Sequence, residues 1–485
     1  MNGRPAQRAI VIGGGLAGLA AAESLVSQAR PCHVTLVEPA ERLGGMLQTV
    51  RREGWLVERS ADSFLAARPE GVALVQRLGL SRELIGIEPR ARRALIYSRG
   101  RTLPVPAGFR LLAPGRMGSI LASPLLSPGA RLRVLAERLV PRRDAAVDDE
   151  SLEHFAVRRL GREAFERIVQ PLVAGIWTAD PARLSMAAAC PEFFEMELRH
   201  GSLWAGERRR LRNSGDAVDA TGARYGQFVT LATGMDTLPA TLGDALVRSG
   251  VDRLVAGATR IARRPDGRWD VVVRRPSGRS AAEDPSAVDV LQADAVVLAV
   301  SAAAAAPLLV DVDRPLADAL SAIEYAGSAV VSLGFRRGDI DHPLDAAGVV
   351  VPRGEGRRIL AVSFSSVKFP DRAPAGSALL RVFVGGALDP ETASLGDEAL
   401  ESLVYAEVAA ILGVRARPQV VQIDRWTRAM PQYHVGHRGR LRAIEDRLAK
   451  LPGLALAGAA YEGVGIPQVI ASGRAAAARA VDRSA

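Results

Sequence analysis

The apolar positions of the chain fall into three patterns. Ala9-Ile10-Val11-Ile12 and Val34-Thr35-Leu36-Val37 are short apolar runs, separated by Gly13-Gly14-Gly15 and the small-residue stretch Leu16 to Ala22. Such runs predict strands buried on both faces, and the stretch between them predicts the helix of a βαβ unit. Residues 294–300 repeat the pattern and an alanine run follows as a packed helix, so the parallel sheet is interrupted and resumed. Between Pro315 and Gln422 the runs lengthen and alternate, at 329–335, 348–351, 359–363 and 378–384, which predicts an antiparallel sheet. From Arg90 to Arg143 neither rhythm holds. There a strand pair at 94–97 and 102–105 gives way to amphipathic stretches carrying Ile120, Leu121, Leu132 and Leu139 among arginines.

Shorter signals fill the gaps. Residues 47–50 and 55–58 read as paired strands around Arg52-Glu53-Gly54, and a helix carrying Leu74 and Val75 follows. Ser151 opens a capped helix to Leu160. Residues 204–226 are rich in arginine and glycine without periodicity, and read as an exposed loop. Phe228-Val229-Thr230-Leu231 restarts the nucleotide-domain pattern, with strands expected at 253–256, 260–263 and 269–273. These patterns divide the chain into 1–90, 226–310 and 441–485 as one discontinuous domain, a helical lobe at 91–225 and an antiparallel domain at 311–440. The expected fold is α/β, a doubly wound Rossmann-like domain with an antiparallel-sheet domain and a helical lobe.

Composition narrows the function classes. The chain of 485 residues is 48% hydrophobic and 24% charged, ordinary for a globular protein. Its net charge of +10 rests almost wholly on arginine, since Lys368 and Lys450 are the only lysines. No basic patch interleaved with aromatics accompanies the charge, so nucleic-acid binding is not expected. Cys32 and Cys190 stand far apart, which removes disulfide scaffolds and cysteine-ligated zinc and fits a reducing compartment. His434 and His437 have no third ligand nearby in sequence, and no metal is expected. The polar start Met1 to Gln7 is unlike a signal peptide, and the run 295–310 is too short and interrupted to span a bilayer. A cytoplasmic protein is expected, with any membrane contact peripheral and on the inner face.

The glycines carry the first chemistry. In Gly13-Gly14-Gly15-Leu16-Ala17-Gly18, Gly13 permits the turn, Gly15 lets backbone approach a pyrophosphate and Gly18 lets helix and strand pack closely. The helix N-terminus offers unpaired N–H groups to phosphate. Glu38, twenty residues after Gly18, is placed to accept from both ribose hydroxyls and would repel a 2′-phosphate. Near the C-terminus, Gly458 to Pro467 reads as strand, glycine turn and helix start, so the backbone N–H groups of Val464, Gly465 and Ile466 are offered to a ligand.

Glu41-Arg42-Leu43-Gly44-Gly45-Met46 resembles the second nucleotide-contacting segment of FAD-dependent amine-oxidase-like flavoproteins, which implies FAD. Within that superfamily the chain is similar to the porphyrinogen oxidases of haem biosynthesis. The likeness lies in Gly45-Met46-Leu47-Gln48-Thr49 through Glu58-Arg59-x-x-Asp62-Ser63-Phe64, in Gln170 to Ser185, in Phe364 to Pro374, in Arg425-Trp426 to His437 and in Gly458 to Pro467. Ser60-Ala61 stand where that family usually has Gly-Pro against the flavin. The resemblance implies non-covalent FAD held by Gly13 to Gly18, Glu38, Arg42, Gly45, Met46, Ser60 to Ser63, Thr259, Trp426, Gly458 and Val464 to Ile466. On the substrate side it implies a Gly175 carbonyl facing pyrrole N–H groups, Phe383 and Val350 sandwiching a pyrrole ring, and Arg93 near a propionate. The implied reaction removes six electrons from protoporphyrinogen IX or coproporphyrinogen III in three hydride steps, with molecular oxygen as acceptor. Peripheral membrane contact through the helical lobe and a homodimer complete the expectation. Amine oxidases and carotenoid-type desaturases share the scaffold and form the alternative, and a non-enzymatic FAD-binding partner protein is the third reading.

Overall fold

The computed structural model describes residues 7–28, 32–214, 227–276 and 288–482. The start of the chain, 1–6, and residues 215–226 of the expected arginine-rich loop lie outside them.

The first two apolar runs form adjacent parallel strands, Gln7–Ile12 and Cys32–Glu38, with Ile10 opposite Thr35 and Ile12 opposite Val37. Among the described residues they belong to a five-stranded parallel sheet ordered Asp252–Val255, Cys32–Glu38, Gln7–Ile12, Ala295–Leu298, Leu454–Leu456. Side-chain alternation sorts these strands between two layers. Ala9, Val11, Val34 and Leu36 face the helices Leu16–Val26 and Ile466–Val481. Ile10, Ile12, Val37 and Leu298 face Ala302–Leu309 and Arg314–Ser321 together with a three-stranded antiparallel sheet. Burial on both faces is why these strands read as continuous apolar runs.

The second sheet has seven strands among the described residues, ordered Val420–Pro431, Tyr325–Arg336, Ser377–Gly385, Ala361–Phe364, Gly348–Val350, Leu95–Ser98, Arg101–Pro104. All pairs are antiparallel except Gly348–Val350 with Leu95–Ser98. One face packs on the helix Asp397–Leu412 through Val331, Leu380, Val382 and Val384. The other turns toward the helical lobe, whose core of Phe155, Leu160, Ile168, Val173 and Phe193 also includes Val350 and Ala361 of the sheet.

Four expectations need revision. The strand pair near Tyr97, placed with the helical lobe, is the edge of the seven-stranded sheet, because its backbone pairs with Val349 and Val350. Phe228–Leu231 pairs with Phe64–Leu65 and Leu84–Gly86 in a small separate sheet rather than rejoining the nucleotide sheet. Gly257–Arg263 and Trp269–Arg274 likewise form their own antiparallel sheet with Val288–Ala293. The start of the expected loop is the helix Leu203–Ser214, held by Glu207, which is buried against Arg110 and Arg210. Its buried charged residue is Glu207, which breaks the apolar periodicity that would have marked the helix. The Ser151 cap is present, its hydroxyl accepting from His154 N–H at 3.2 Å. No helix among the described residues is long and apolar enough to cross a membrane.

Candidate functional site

The site is built where the two sheets and the lobe meet. In the glycine turn, Gly13 has φ +109°, a conformation that side chains rarely adopt, and a Cβ there would strike the Ala299 carbonyl. A Cβ on Gly18 would collide with the Gly13 carbonyl, which is the close helix-strand contact expected. Gly15 differs: a Cβ there meets nothing within 4 Å. It caps the helix Leu16–Val26 with no side-chain bond, so the helix start opens onto a cradle of free backbone N–H groups. Leu16 and Ala17 follow, buried, in the first turn.

Glu38 closes one side of this cradle, accepting from Gly14 N–H at 2.7 Å and Ala40 N–H at 3.0 Å. A carboxylate offers about four acceptor positions, so capacity for hydroxyls is left. Arg42 threads the next loop, donating to the carbonyls of Leu43 and Leu47 at 2.7 and 2.9 Å and to that of Gly45. That wrapping lays Gly45, at φ +55°, against Gly15, while Met46 stands 42% exposed beside it. On the far side the C-terminal helix Ile466–Val481 begins at Gly465, again without a side-chain cap. It packs on the first helix where Gly473, in its middle, meets the Ala17 carbonyl, so the open start of the first helix lies against the body of the last. Gly458 is fixed by Ser472 Oγ at 3.0 Å and leads into Val464.

Ser60 to Ser63 form the seam with the seven-stranded sheet. Ser60 Oγ donates to the Met46 carbonyl at 2.5 Å, and Trp426 Nε1 donates to the Arg59 carbonyl at 2.9 Å. Ala61 is exposed, and Ser63 donates to Asp62 Oδ1 at 2.9 Å. Asp62 pairs with Lys368 at 2.5 Å and Arg381 at 3.1 Å. Burial opposes its charge, but Lys368 and then Arg381 outweigh it and hold the carboxyl well below the usual carboxylate range. Arg381 also donates to the Ser60 carbonyl, so a strand residue fixes the backbone of this segment. Neither Lys368 nor Arg381 stood among the expected site residues. A buried arginine between Leu380 and Val382 was the available signal, because a charge inside an apolar strand requires a partner.

The substrate-side residues share one row of the sheet. The register runs Asp424, Val330, Phe383, Ala361, Val350, Ile96 across six strands. Phe383 and Val350 are two strands apart, about 9.5 Å between backbones, with only the Ala361 methyl between them. A flat ring in contact on both faces needs roughly 7–8 Å. Gly175, in the last turn of the helix Gln170–Trp177, stands over one wall, 4.0 Å from Val350 Cγ1 measured from where its Cβ would be. Val464 of the C-terminal segment packs on the same cluster as Val350, Ala361 and Phe383.

Two expected residues lie apart. Arg93 precedes the strand Leu95–Ser98 and shares the parity of Leu95 and Tyr97, which face the opposite layer. There it is ion-paired with Asp345 and donates to the Asp345 carbonyl at 2.8 Å. Its assignment to the substrate is withdrawn. Arg93→Ala should change the Michaelis constant for substrate by less than about twofold, because an exposed pair is worth roughly 0–1 kcal/mol and lies off the slot between Phe383 and Val350; steady-state kinetics checks this. Thr259 sits exposed at a bulge, its hydroxyl 3.3 Å from the Val272 carbonyl. Its strand reaches the site through Gly257 beside Pro39, at the Glu38 end rather than at the glycine turn.

Residues 16–481 match the family model for flavin-containing amine oxidoreductases. A coproporphyrinogen III oxidase of Bacillus subtilis (strain 168) is 31% identical over 97% of this chain and 97% of its own length. One from Propionibacterium freudenreichii is 34% identical over 98% of this chain and 90% of its own. A protoporphyrinogen oxidase of Bos taurus is 33% identical over 97% of both. The crystal structure of a candidate protoporphyrinogen oxidase from Exiguobacterium sp. 255-15 superposes with a TM-score of 0.82 at 28% identity, covering 98% of this chain and 99% of that one.

Proposed function

The chain belongs to the flavin-containing amine oxidoreductases, and from that premise we propose that it is an FAD-dependent porphyrinogen oxidase acting on coproporphyrinogen III or protoporphyrinogen IX in haem biosynthesis. The observation that carries the proposal is the register that sets Phe383 and Val350 on either side of Ala361, on the sheet face turned to the lobe core. The residues present fit FAD. Gly15 offers an open cradle for a pyrophosphate, Glu38 has spare acceptor capacity for a ribose, and the helices Leu16–Val26 and Ile466–Val481 both start without a side-chain cap.

Bound flavin supplies the hydride-accepting chemistry. The chain supplies position. Phe383 and Val350 hold a pyrrole ring between apolar faces, and the Gly175 carbonyl accepts from pyrrole N–H. No backbone N–H takes that carbonyl among the described residues, consistent with its place in a last helical turn. Each turnover removes two electrons and two hydrogens, one as hydride and one as proton, and three turnovers complete the porphyrin. Molecular oxygen is the proposed acceptor, leaving as hydrogen peroxide. Anaerobic mixing with porphyrinogen should bleach the flavin absorbance, and admitting oxygen should restore it with one peroxide per two electrons. Flavin that stays oxidised under porphyrinogen would overturn the reading.

FAD is expected to be non-covalent. Cys32 begins a nucleotide-sheet strand and Cys190 is buried in the lobe, neither in a flavin segment. Acid precipitation should leave all yellow colour in the supernatant; colour in the pellet would contradict this. The lobe also presents Leu121, Leu132 and Leu139 at 48%, 64% and 77% exposure near arginines, a surface suited to peripheral contact with the inner membrane face. Leu132→Asp with Leu139→Asp should at least halve co-sedimentation with anionic vesicles while sparing turnover in detergent.

A further inference from the structure

Tyr433 lies in the short connection between the last strand of the seven-stranded sheet, Val420–Pro431, and the helix His437–Leu448 of the nucleotide domain. The lobe grips this connection through three backbone contacts. Ser185 N–H donates to the Tyr433 carbonyl at 2.7 Å, Val435 N–H to the Arg183 carbonyl at 2.8 Å, and Gly436 N–H to Asp149 Oδ2 at 2.9 Å. The Tyr433 ring is 2% exposed, stacked on His437 at 4.1 Å and tilted against Trp177 at 5.0 Å. Trp177 ends the helix that carries Gly175.

The phenol reaches the other way. Tyr433 Oη donates to the Ala459 carbonyl at 2.5 Å and accepts from Gly463 N–H at 3.0 Å. One hydroxyl thus ties both ends of the turn leading from Gly458 to the open helix start at Gly465. Burial raises the phenol's pKa, so it stays protonated and the donation to Ala459 is permanent. Burial also pushes His437 down to about 4, so the ring stacked on Tyr433 is neutral at physiological pH. A neutral stack and a fixed proton make this a static clamp.

We propose that Tyr433 is a positioning residue that sets the flavin-binding turn at 459–463 against the substrate-side helix. This rests on the FAD reading above. Removing the hydroxyl leaves a half-buried carbonyl and a half-buried N–H without this partner in the turn that offers Val464 to Ile466 to the cofactor. The turn then samples conformations in which those N–H groups no longer converge.

The test is FAD titration of purified apoprotein, read by quenching of flavin fluorescence, with reduction potential and melting temperature measured on the same preparations. Tyr433→Phe keeps the ring between His437 and Trp177 and should weaken FAD binding about tenfold or more, with a shifted flavin potential. Trp177→Phe should weaken binding in the same direction by a smaller factor, and gives the same readout if Tyr433→Phe does not fold. A lowered melting temperature with unchanged FAD affinity and potential in the folded variants would overturn the proposal, since a purely structural tyrosine predicts that result. Wild-type protein that binds no FAD would instead overturn the underlying reading.

Discussion

Gly15→Val should fold with a near-native melting temperature and bind FAD at least roughly a hundredfold more weakly. Both halves follow from local geometry. Gly15 has φ −70° and ψ 175°, ordinary extended backbone that valine adopts without strain, and a Cβ there meets no protein atom within 4 Å. The side chain therefore costs the fold little and occupies the space above the helix N-terminus where a pyrophosphate must approach. Gly18→Val is the contrasting variant. Its Cβ would drive into the Gly13 carbonyl, so it should lose stability whether or not cofactor is present. Melting curves and flavin content per folded protein separate the two, and full FAD occupancy in Gly15→Val would misplace the cofactor.

Ala361→Leu should retain flavin and lose about a hundredfold or more in kcat/KM. Ala361 lies between Phe383 and Val350 on adjacent strands, and side chains stand roughly perpendicular to a sheet. Three added carbons rise into the space between the two walls and exclude a ring from it. The competing account is ordinary core packing, since Ala361 is 8% exposed and belongs to the lobe cluster. Overpacking typically costs roughly 1–3 kcal/mol. A large fall in melting temperature with normal turnover per folded molecule would favour packing and remove the slot from the mechanism.

How much of this was readable from the chain differs between the two halves of the site. The cofactor half depends on residues close in sequence, so Gly13, Gly15, Gly18 and Glu38 could each be given a task from spacing alone. Gly13 makes a left-handed turn, Gly18 lets helix and strand touch, Gly15 leaves the helix start open and Glu38 accepts from Gly14 N–H beside it. The substrate half depends on register across strands separated by tens to hundreds of residues. Family likeness pointed to Phe383 and Val350, but nothing in either segment reveals that Ala361 lies between them. Arg93 shows the same limit, because its role turned on which face of the sheet it occupies. Parity with Leu95 and Tyr97 put it on the far layer, and Asp345, remote in sequence, took the ion pair. Arg381 could be suspected from its place between Leu380 and Val382, but its partner Asp62, and Lys368 with it, emerged only where the Ser60 to Ser63 segment met the sheet. The helix Leu203–Ser214 was hidden for another reason. Its inward groups include Glu207, buried on arginines, and a polar face turned to the core gives no apolar period to detect.

Porphyrinogen oxidation by this chain can be measured directly by mixing the flavin-loaded protein aerobically with coproporphyrinogen III and, separately, with protoporphyrinogen IX, and following porphyrin fluorescence. The structure predicts a rise above the non-enzymatic rate with at least one of the two, abolished in the flavin-free protein and in Ala361→Leu. No rise with either substrate, together with flavin reduction by a primary amine, would contradict it.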